Sequence, residues 1–322
     1  MVLMAIDRLK AIWTNGYIID RDNKSQKWIR KNQNIIVEMK RLNNPNDITV
    51  EFMKNKISKG YGVTQDPETK NYMMVLDYKC KKCNFVCYAK HFQQSFNNWT
   101  NGNDDINKFI QNTQLSSHDN IRKAALEWIP YNKFYDIEYI ARGGFDKVYK
   151  AKWIDGNINC WDDDNQNWKR ICQDMYVALK SLNDSKDITL KFIDGIASHN
   201  KIDNNYIIKF YGITQDPHTK NYIMVLKYAE SGSLRNYFDI NHNKLDVDIR
   251  INYLFNIACG LESIHKNELI HRDLHIGNIL KNNYDIYIAD MGLCKLVNYN
   301  QSNNTKNNIY GVLPYIAPEL KF

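Results

Sequence analysis

Residues 269–280 read "LIHRDLHIGNIL", and this one stretch holds most of what a reactive site needs. His271, Arg272 and Asp273 lie between the apolar residues Leu269, Ile270 and Leu274, and Asn278 follows Asp273 by five positions. Twelve residues beyond Asn278 comes "IADMGL", in which Asp290 precedes Met291 and Gly292. Two carboxylates and an amide, on loops between short apolar strands, are hard oxygen donors of the kind a magnesium–phosphate group requires.

Working outward, the chain upstream alternates like strands. "FYDIEYIARGGFDKVYKAKWI" (134–154) predicts a hairpin around a glycine turn, and "MYVALKSL" (175–182) and "NYIMVLKY" (221–228) predict short buried strands. "ITLKFIDGIASH" (188–199) carries a helical stripe through Leu190, Ile193 and Ala197. "DIRINYLFNIACGLESIHKN" (248–267) predicts a long amphipathic helix with Ile251, Leu254, Ile257, Ala258 and Leu261 on one face. A β-rich lobe thus precedes a helical one.

Further on, "LPYIAPEL" (313–320) holds Ala317, Pro318 and Glu319. With HRD-x4-N, then DxG, then APE in this order, residues from about 135 to 322 resemble a eukaryotic protein kinase domain, nearest the tyrosine-kinase-like serine/threonine branch. The resemblance implies transfer of the ATP γ-phosphate to protein hydroxyls, serine or threonine before tyrosine. It gives Asp273 the substrate proton, Asn278 and Asp290 the Mg2+ ions, and Lys180 of "VALK" the α and β phosphates. Arg272 precedes the base and would hold a phosphate placed on Ser302, Thr305 or Tyr310. Ala141, Gly143, Gly144, Val148 and Ala178 would enclose the nucleotide, Leu226 would be the gatekeeper, and the backbone from Lys227 to Ala229 would bond adenine.

The pattern also departs from the family. In the glycine-loop frame, positions 141 to 148, only the middle glycine, Gly143, survives; Ala141 replaces the first and Asp146 the third, where its carboxylate would weaken phosphate binding. Gly195 falls where a glutamate should pair with Lys180. Met291 replaces the usual phenylalanine as an apolar filler, and His275 stands where most serine/threonine kinases have lysine. The chain ends three residues after Glu319, so the helical lobe is expected to be truncated, the helix at 249–265 to expose a face, and a partner to cover it. Two function readings follow: a kinase of weak activity, or a pseudokinase scaffold.

The chain also repeats itself. "MKRLNNPNDITVEF" (39–52) matches "LKSLNDSKDITLKF" (179–192), and "YGVTQDPETKNYMMVLDY" (61–78) matches "YGITQDPHTKNYIMVLKY" (211–228). Trp13, Gly16, Trp28 and Lys40 precede Trp153, Gly156, Trp168 and Lys180 by 140 positions, and after Ser58 the offset becomes 150. The expected fold is therefore α+β: a two-lobed protein-kinase-like domain (131–322) behind a degenerate partial N-lobe repeat (1–78), with a Cys/His segment and linker helices between them (79–130). In that segment Cys80, Cys83, Cys87 and His91 give C-x2-C-x3-C-x3-H. These are enough soft ligands for Zn2+, though the tight spacing favours a remnant of surface thiols left from an eroded metal ribbon.

Composition narrows the classes. A net charge of +7 without a basic run argues against nucleic acid, and no apolar run approaches the 18 residues that argue for a membrane span. Seven cysteines, four of them scattered singly, predict reduced thiols and a cytoplasmic or nuclear setting.

Overall fold

The computed structural model describes residues 8–31, 33, 35–42, 60–80, 82–83, 87–96, 99–118, 125–142, 146–163, 165–182, 196–197, 199–200, 202, 204–241, 246–283, 285–291 and 294–296. They form a mixed α/β structure with several sheets in two compact units. The first unit comprises residues 1–100, 114–121 and 158–169, and the second 101–113, 122–157 and 170–322. The boundary expected at residues 79–130 is thus not a clean cut: that segment is shared between the units, and residues 158–169 join the first.

In the first unit, β1 (Arg8–Trp13), β4 (Ile35–Arg41), β5 (Gly60–Gln65) and β6 (Tyr72–Asp77) form a sheet in the order β1-β4-β6-β5, with β2 (Tyr17–Arg21) and β3 (Trp28–Lys31) as a separate hairpin. Among its described residues Val37, Met73 and Met74 are the buried apolar ones, and Glu38 is buried beside them. Helix α1 (Tyr88–Ser95) follows and buries Ala89 and Phe92, with Phe92 stacked on Trp168 at 4.4 Å between ring centres. Helix α2 (Asp104–Ser116), whose residues 104–113 belong to the second unit, opens with two acidic residues, which suit the positive end of the helix dipole. Both helices lie within the segment 79–130 where linker helices are expected.

In the second unit, a six-stranded sheet runs β7-β13-β14-β12-β9-β8, built from β7 (Glu127–Trp128), β8 (Phe134–Arg142), β9 (Asp146–Trp153), β12 (Met175–Leu182), β13 (Phe210–Gln215) and β14 (Tyr222–Lys227). Between β9 and β12 in the chain, strands β10 (Asn157–Asp162) and β11 (Asn167–Ile171) make a hairpin whose residues 158–169 belong to the first unit. Alternation explains the core: Val177 and Leu179 point inward with Ala151, Trp153 and Val225, while Ala178 and Lys180 face the other way. Gly212 lets β7 run parallel to β13, since a Cβ there would lie 2.1 Å from the Glu127 carbonyl oxygen.

The helical part contains α3 (Leu234–Asn241) and α4 (Val247–Lys266), followed by β15 (Leu269–Ile270), β16 (Ile279–Asn282), β17 (Asp285–Ile288) and β18 (Lys295–Leu296). Asp246 caps α4 by accepting the Val247 N–H. The helix does not bury the whole stripe expected of it: Tyr253, Asn256, Gly260 and Ile264 are buried, Ile257 and Leu261 pack on the core, and Ile251, Leu254 and Ala258 are exposed. Gly260 is the cause, because its missing Cβ admits Ile288 of β17, whose Cδ1 would lie 2.8 Å from that atom. Val247, Ile251, Leu254 and Phe255 are left as an exposed apolar face.

Candidate active site

The second sheet presents one row of site residues. Ala141 pairs with Val148, and Val148 with Lys180, across adjacent antiparallel strands, so all three share a face. Ala178, two residues before Lys180, lies on that face opposite Leu226. At the end of β14 the Lys227 N–H donates to the Lys209 carbonyl at 2.8 Å, and just past the strand the Ala229 carbonyl accepts the Gly232 N–H at 3.0 Å. The Lys227 ammonium donates to the Tyr287 hydroxyl, and burial lowers its pKa despite the opposing charge of Asp285.

The loop from His271 to Asn278 is held by its own side chains. His271 is buried and donates from Nε2 to the Ala289 carbonyl at 2.9 Å, while its Nδ1 accepts the Asp273 N–H at 3.2 Å. Burial lowers its pKa, so the ring stays neutral and ties this loop to the residue before Asp290. Asn278 donates both amide hydrogens to Asp273, at 2.9 Å to the backbone carbonyl and 3.0 Å to Oδ2. His275 accepts the Gly277 N–H on Nδ1 at 3.0 Å, which places its own proton on Nε2, 3.6 Å from Asp273 Oδ1. Arg272 and Asp290 adopt left-handed backbone, with φ of 69° and 60°, a strained conformation that concentrates at functional sites.

The two halves of the site meet at Lys180. Its ammonium lies 2.7 Å from Asp290 Oδ1 and 3.0 Å from Asp146 Oδ2. Burial alone would lower the lysine's pKa, but the charges of Asp290 and then Asp146 outweigh it, and the net shift is upward. Lysine 180 is therefore a fixed cation. The Asp146 carboxylate, read from the sequence as an intruder among phosphates, is instead turned onto the lysine. Gly143, Gly144, Gly195, Ser302, Thr305, Tyr310, Ala317, Pro318 and Glu319 lie outside the described residues.

A base candidate held by an amide, a carboxylate twelve residues past the end of that loop and a lysine paired to it across 110 positions make up a phosphoryl-transfer arrangement. The family described as protein tyrosine and serine/threonine kinase matches residues 136–321, more than half of the chain. This chain belongs to that kinase family. Among its relatives are MDIS1-interacting receptor like kinase 2 of Arabidopsis thaliana, 28% identical over 74% of the chain and 21% of the relative, and cysteine-rich receptor-like protein kinase 6 of Oryza sativa subsp. japonica, 28% identical over 70% of the chain and 30% of the relative. A probable serine/threonine-protein kinase of Dictyostelium discoideum is 30% identical over 62% of the chain and 10% of the relative. The chain thus spans less than a third of the length of each of these kinases.

Kinase membership implies ATP and Mg2+, and the donor set fits them. Because Asn278 commits both amide hydrogens to Asp273, its Oδ1 remains on the opposite side as a hard oxygen, and Asp290 adds a carboxylate. Magnesium takes one or two such protein ligands and completes its shell with phosphates and water.

A second cluster lies in the first unit. Cys80, Cys83, Cys87 and His118 offer ligand atoms all within 4.8 Å of one another, a group that could hold a metal ion. This corrects the fourth ligand expected from the sequence. His91 sits one turn into α1 and stacks on Trp161 at 4.1 Å between ring centres, where burial lowers its pKa to about 4. His118, 31 positions after Cys87, takes the place beside the thiols. No local spacing pointed to it, because the chain returns to the cysteines only after α2.

Proposed function

We propose that residues 131–322 transfer the γ-phosphate of ATP to hydroxyls of protein substrates, serine and threonine in preference to tyrosine. The observation that carries this reading is the convergence of Lys180 with Asp290 beside the Asp273–Asn278 pair. Bound with Mg2+, ATP supplies the phosphoryl group; the chain supplies position, charge and a proton acceptor. Asp273 accepts the proton of the substrate hydroxyl, with Oδ2 oriented by Asn278 and Oδ1 facing His275. Asn278 and Asp290 hold magnesium, and Lys180 neutralises the α and β phosphates. Ala141, Val148 and Ala178 share the sheet face that walls the nucleotide, the family's glycine-loop frame gives Gly143 and Gly144 the same role, and the backbone of Lys227 and Ala229 bonds the adenine. The serine/threonine preference leans on relatives described as serine/threonine kinases.

A second reading, a scaffold that binds nucleotide but turns over little, is favoured by Asp146. Phosphates reaching Lys180 must displace a carboxylate already 3.0 Å from it, which weakens nucleotide binding and lowers turnover. The test is magnesium-dependent transfer of γ-labelled phosphate to a generic protein substrate. In the kinase reading Asp273→Asn removes about 10²- to 10⁴-fold of the rate. Labelling that is absent in the unaltered protein, while Mg·ATP still raises its melting temperature, supports the scaffold. Labelling that Asp273→Asn leaves unchanged contradicts the role given to that residue.

A further inference from the structure

In the first unit, three thiols and one imidazole converge without any part in phosphoryl transfer. Sγ of Cys80 and Sγ of Cys87 lie 3.5 and 3.4 Å from the same nitrogen, Nδ1 of His118, and Cys83 completes the group. A neutral imidazole nitrogen carries one lone pair or one hydrogen, so it cannot serve two thiols as an ordinary hydrogen-bond partner. A shared cation removes the conflict. In a tetrahedral zinc site with Zn–S of about 2.3 Å and Zn–N of about 2.0 to 2.1 Å, sulfur and nitrogen stand about 3.6 Å apart, close to the two separations here.

The environment agrees. Cys80 and Cys87 are buried, Cys83 and His118 half-buried, and none of the three cysteines is in a disulfide. The Lys82 backbone N–H points at Cys80 Sγ from 3.4 Å, the kind of donor that stabilises a metal-bound thiolate. Four protein ligands leave no position for substrate or water, which marks a structural site, and three sulfurs with one nitrogen select zinc over hard cations such as magnesium.

We propose that Cys80, Cys83, Cys87 and His118 bind one zinc ion in a closed tetrahedral site that fastens the segment leading into α1 to the residues just after α2. On binding, three thiols release three protons to solvent, the imidazole stays neutral, and no electron is transferred. The inference is independent of the kinase reading.

The test uses the full chain, produced without a polyhistidine tag under reducing conditions. Elemental analysis and native mass spectrometry are expected to find one zinc per chain. Reduced apoprotein titrated with Co2+ is expected to show the visible bands of a tetrahedral thiolate–imidazole complex. His118→Ala should lose zinc to a chelator at least about tenfold more readily, His91→Ala should hold it as the unaltered protein does, and His118→Cys should retain it through four thiolates. The last variant separates loss of a ligand from loss of the fold. A chain that takes up neither zinc nor cobalt, or that holds iron in their place, overturns the proposal. So does a Cys80–Cys87 disulfide in the peptide map, or zinc that depends on His91 and not on His118.

Discussion

In the first sheet β4 lies between β1 and β6, with β5 outside β6; in the second, β12 lies between β9 and β14, with β13 outside β14. The agreement reaches single residues. Lys40 pairs with Arg8 on one side and Met74 on the other, as Lys180 pairs with Val148 and Met224. Each sheet has a register shift at the same point, between Gly60 and Gly62 and between Phe210 and Gly212. The turns match too: Gln65 Nε2 donates to the Lys70 carbonyl at 2.9 Å and Gln215 Nε2 to the Lys220 carbonyl at 2.8 Å, and both lysines have φ near 60°. Arg30 and Arg170 each donate to the carbonyl of a left-handed glycine, Gly16 or Gly156, at 2.8 Å.

What separates the copies is what surrounds that shared plan. The second sheet gains β8 beyond β9 and β7 beyond β13, and its lysine meets two carboxylates. Asp290 comes from beyond the repeated segment, and the first copy contains no matching stretch. Strand order, register and turn chemistry depend on residues near one another in sequence and survive in both copies. Chemistry depends on residues brought from a distance, and among the described residues it is the second copy's lysine that meets them.

The largest effect that sharpens this contrast is expected at Asp290. Replacing it by asparagine removes the distant carboxylate while keeping its shape, and phosphate transfer should fall by about 10²- to 10³-fold, read from initial rates at saturating Mg·ATP. Next is Gly212→Ala, which tests the added strand. A Cβ there meets the Glu127 carbonyl, so the variant should lose about 3 kcal/mol in urea unfolding, the upper end for overpacking.

A smaller effect comes from pH. His199, buried against the Ile208 carbonyl, has its pKa lowered to about 4 by burial, from an ordinary value of 6.5. The unfolded chain therefore takes up this proton first: the stabilisation is complete above pH 6.5 and is lost as pH falls toward 4. Between pH 6.5 and 5 the second unit should lose about 2 kcal/mol from this group, a loss that His199→Gln removes. Smallest is Asp146→Gly, which frees Lys180 of one competitor. Mg·ATP should bind more tightly by about 1 to 2 kcal/mol, a factor of about 5 to 30. If binding weakens instead, the carboxylate positions the lysine and does not compete for it.

The fold of the second copy was legible because its signals are local. "LIHRDLHIGNIL" and "IADMGL" carry their residues within short loops, and the strands at 175–182 and 222–227 alternate or run apolar as buried strands do. Members of the candidate site could be proposed from the sequence, but not their pairings. Nothing in the spacing of Asp146 shows that it turns onto Lys180, and His118 is separated from the thiols it joins by both helices of that segment. Helix α4 misled for a related reason: it is apolar on two sides, and which side is buried depends on Gly260 fitting Ile288 of another element. Stripe counting weighs large apolar residues and is blind to a glycine chosen for close approach.

The most direct measurement is a calorimetric titration of Mg·ATP into the unaltered protein, Lys180→Met and Lys40→Met. The two lysines occupy the same register in sheets of the same order, so the substitutions differ in little but the surrounding carboxylates and loops. The account predicts one nucleotide per chain, affinity lowered by at least about tenfold in Lys180→Met, and no change in Lys40→Met. A second nucleotide site, or a loss of binding in Lys40→Met equal to that in Lys180→Met, would contradict the claim that only the second copy has a working pocket.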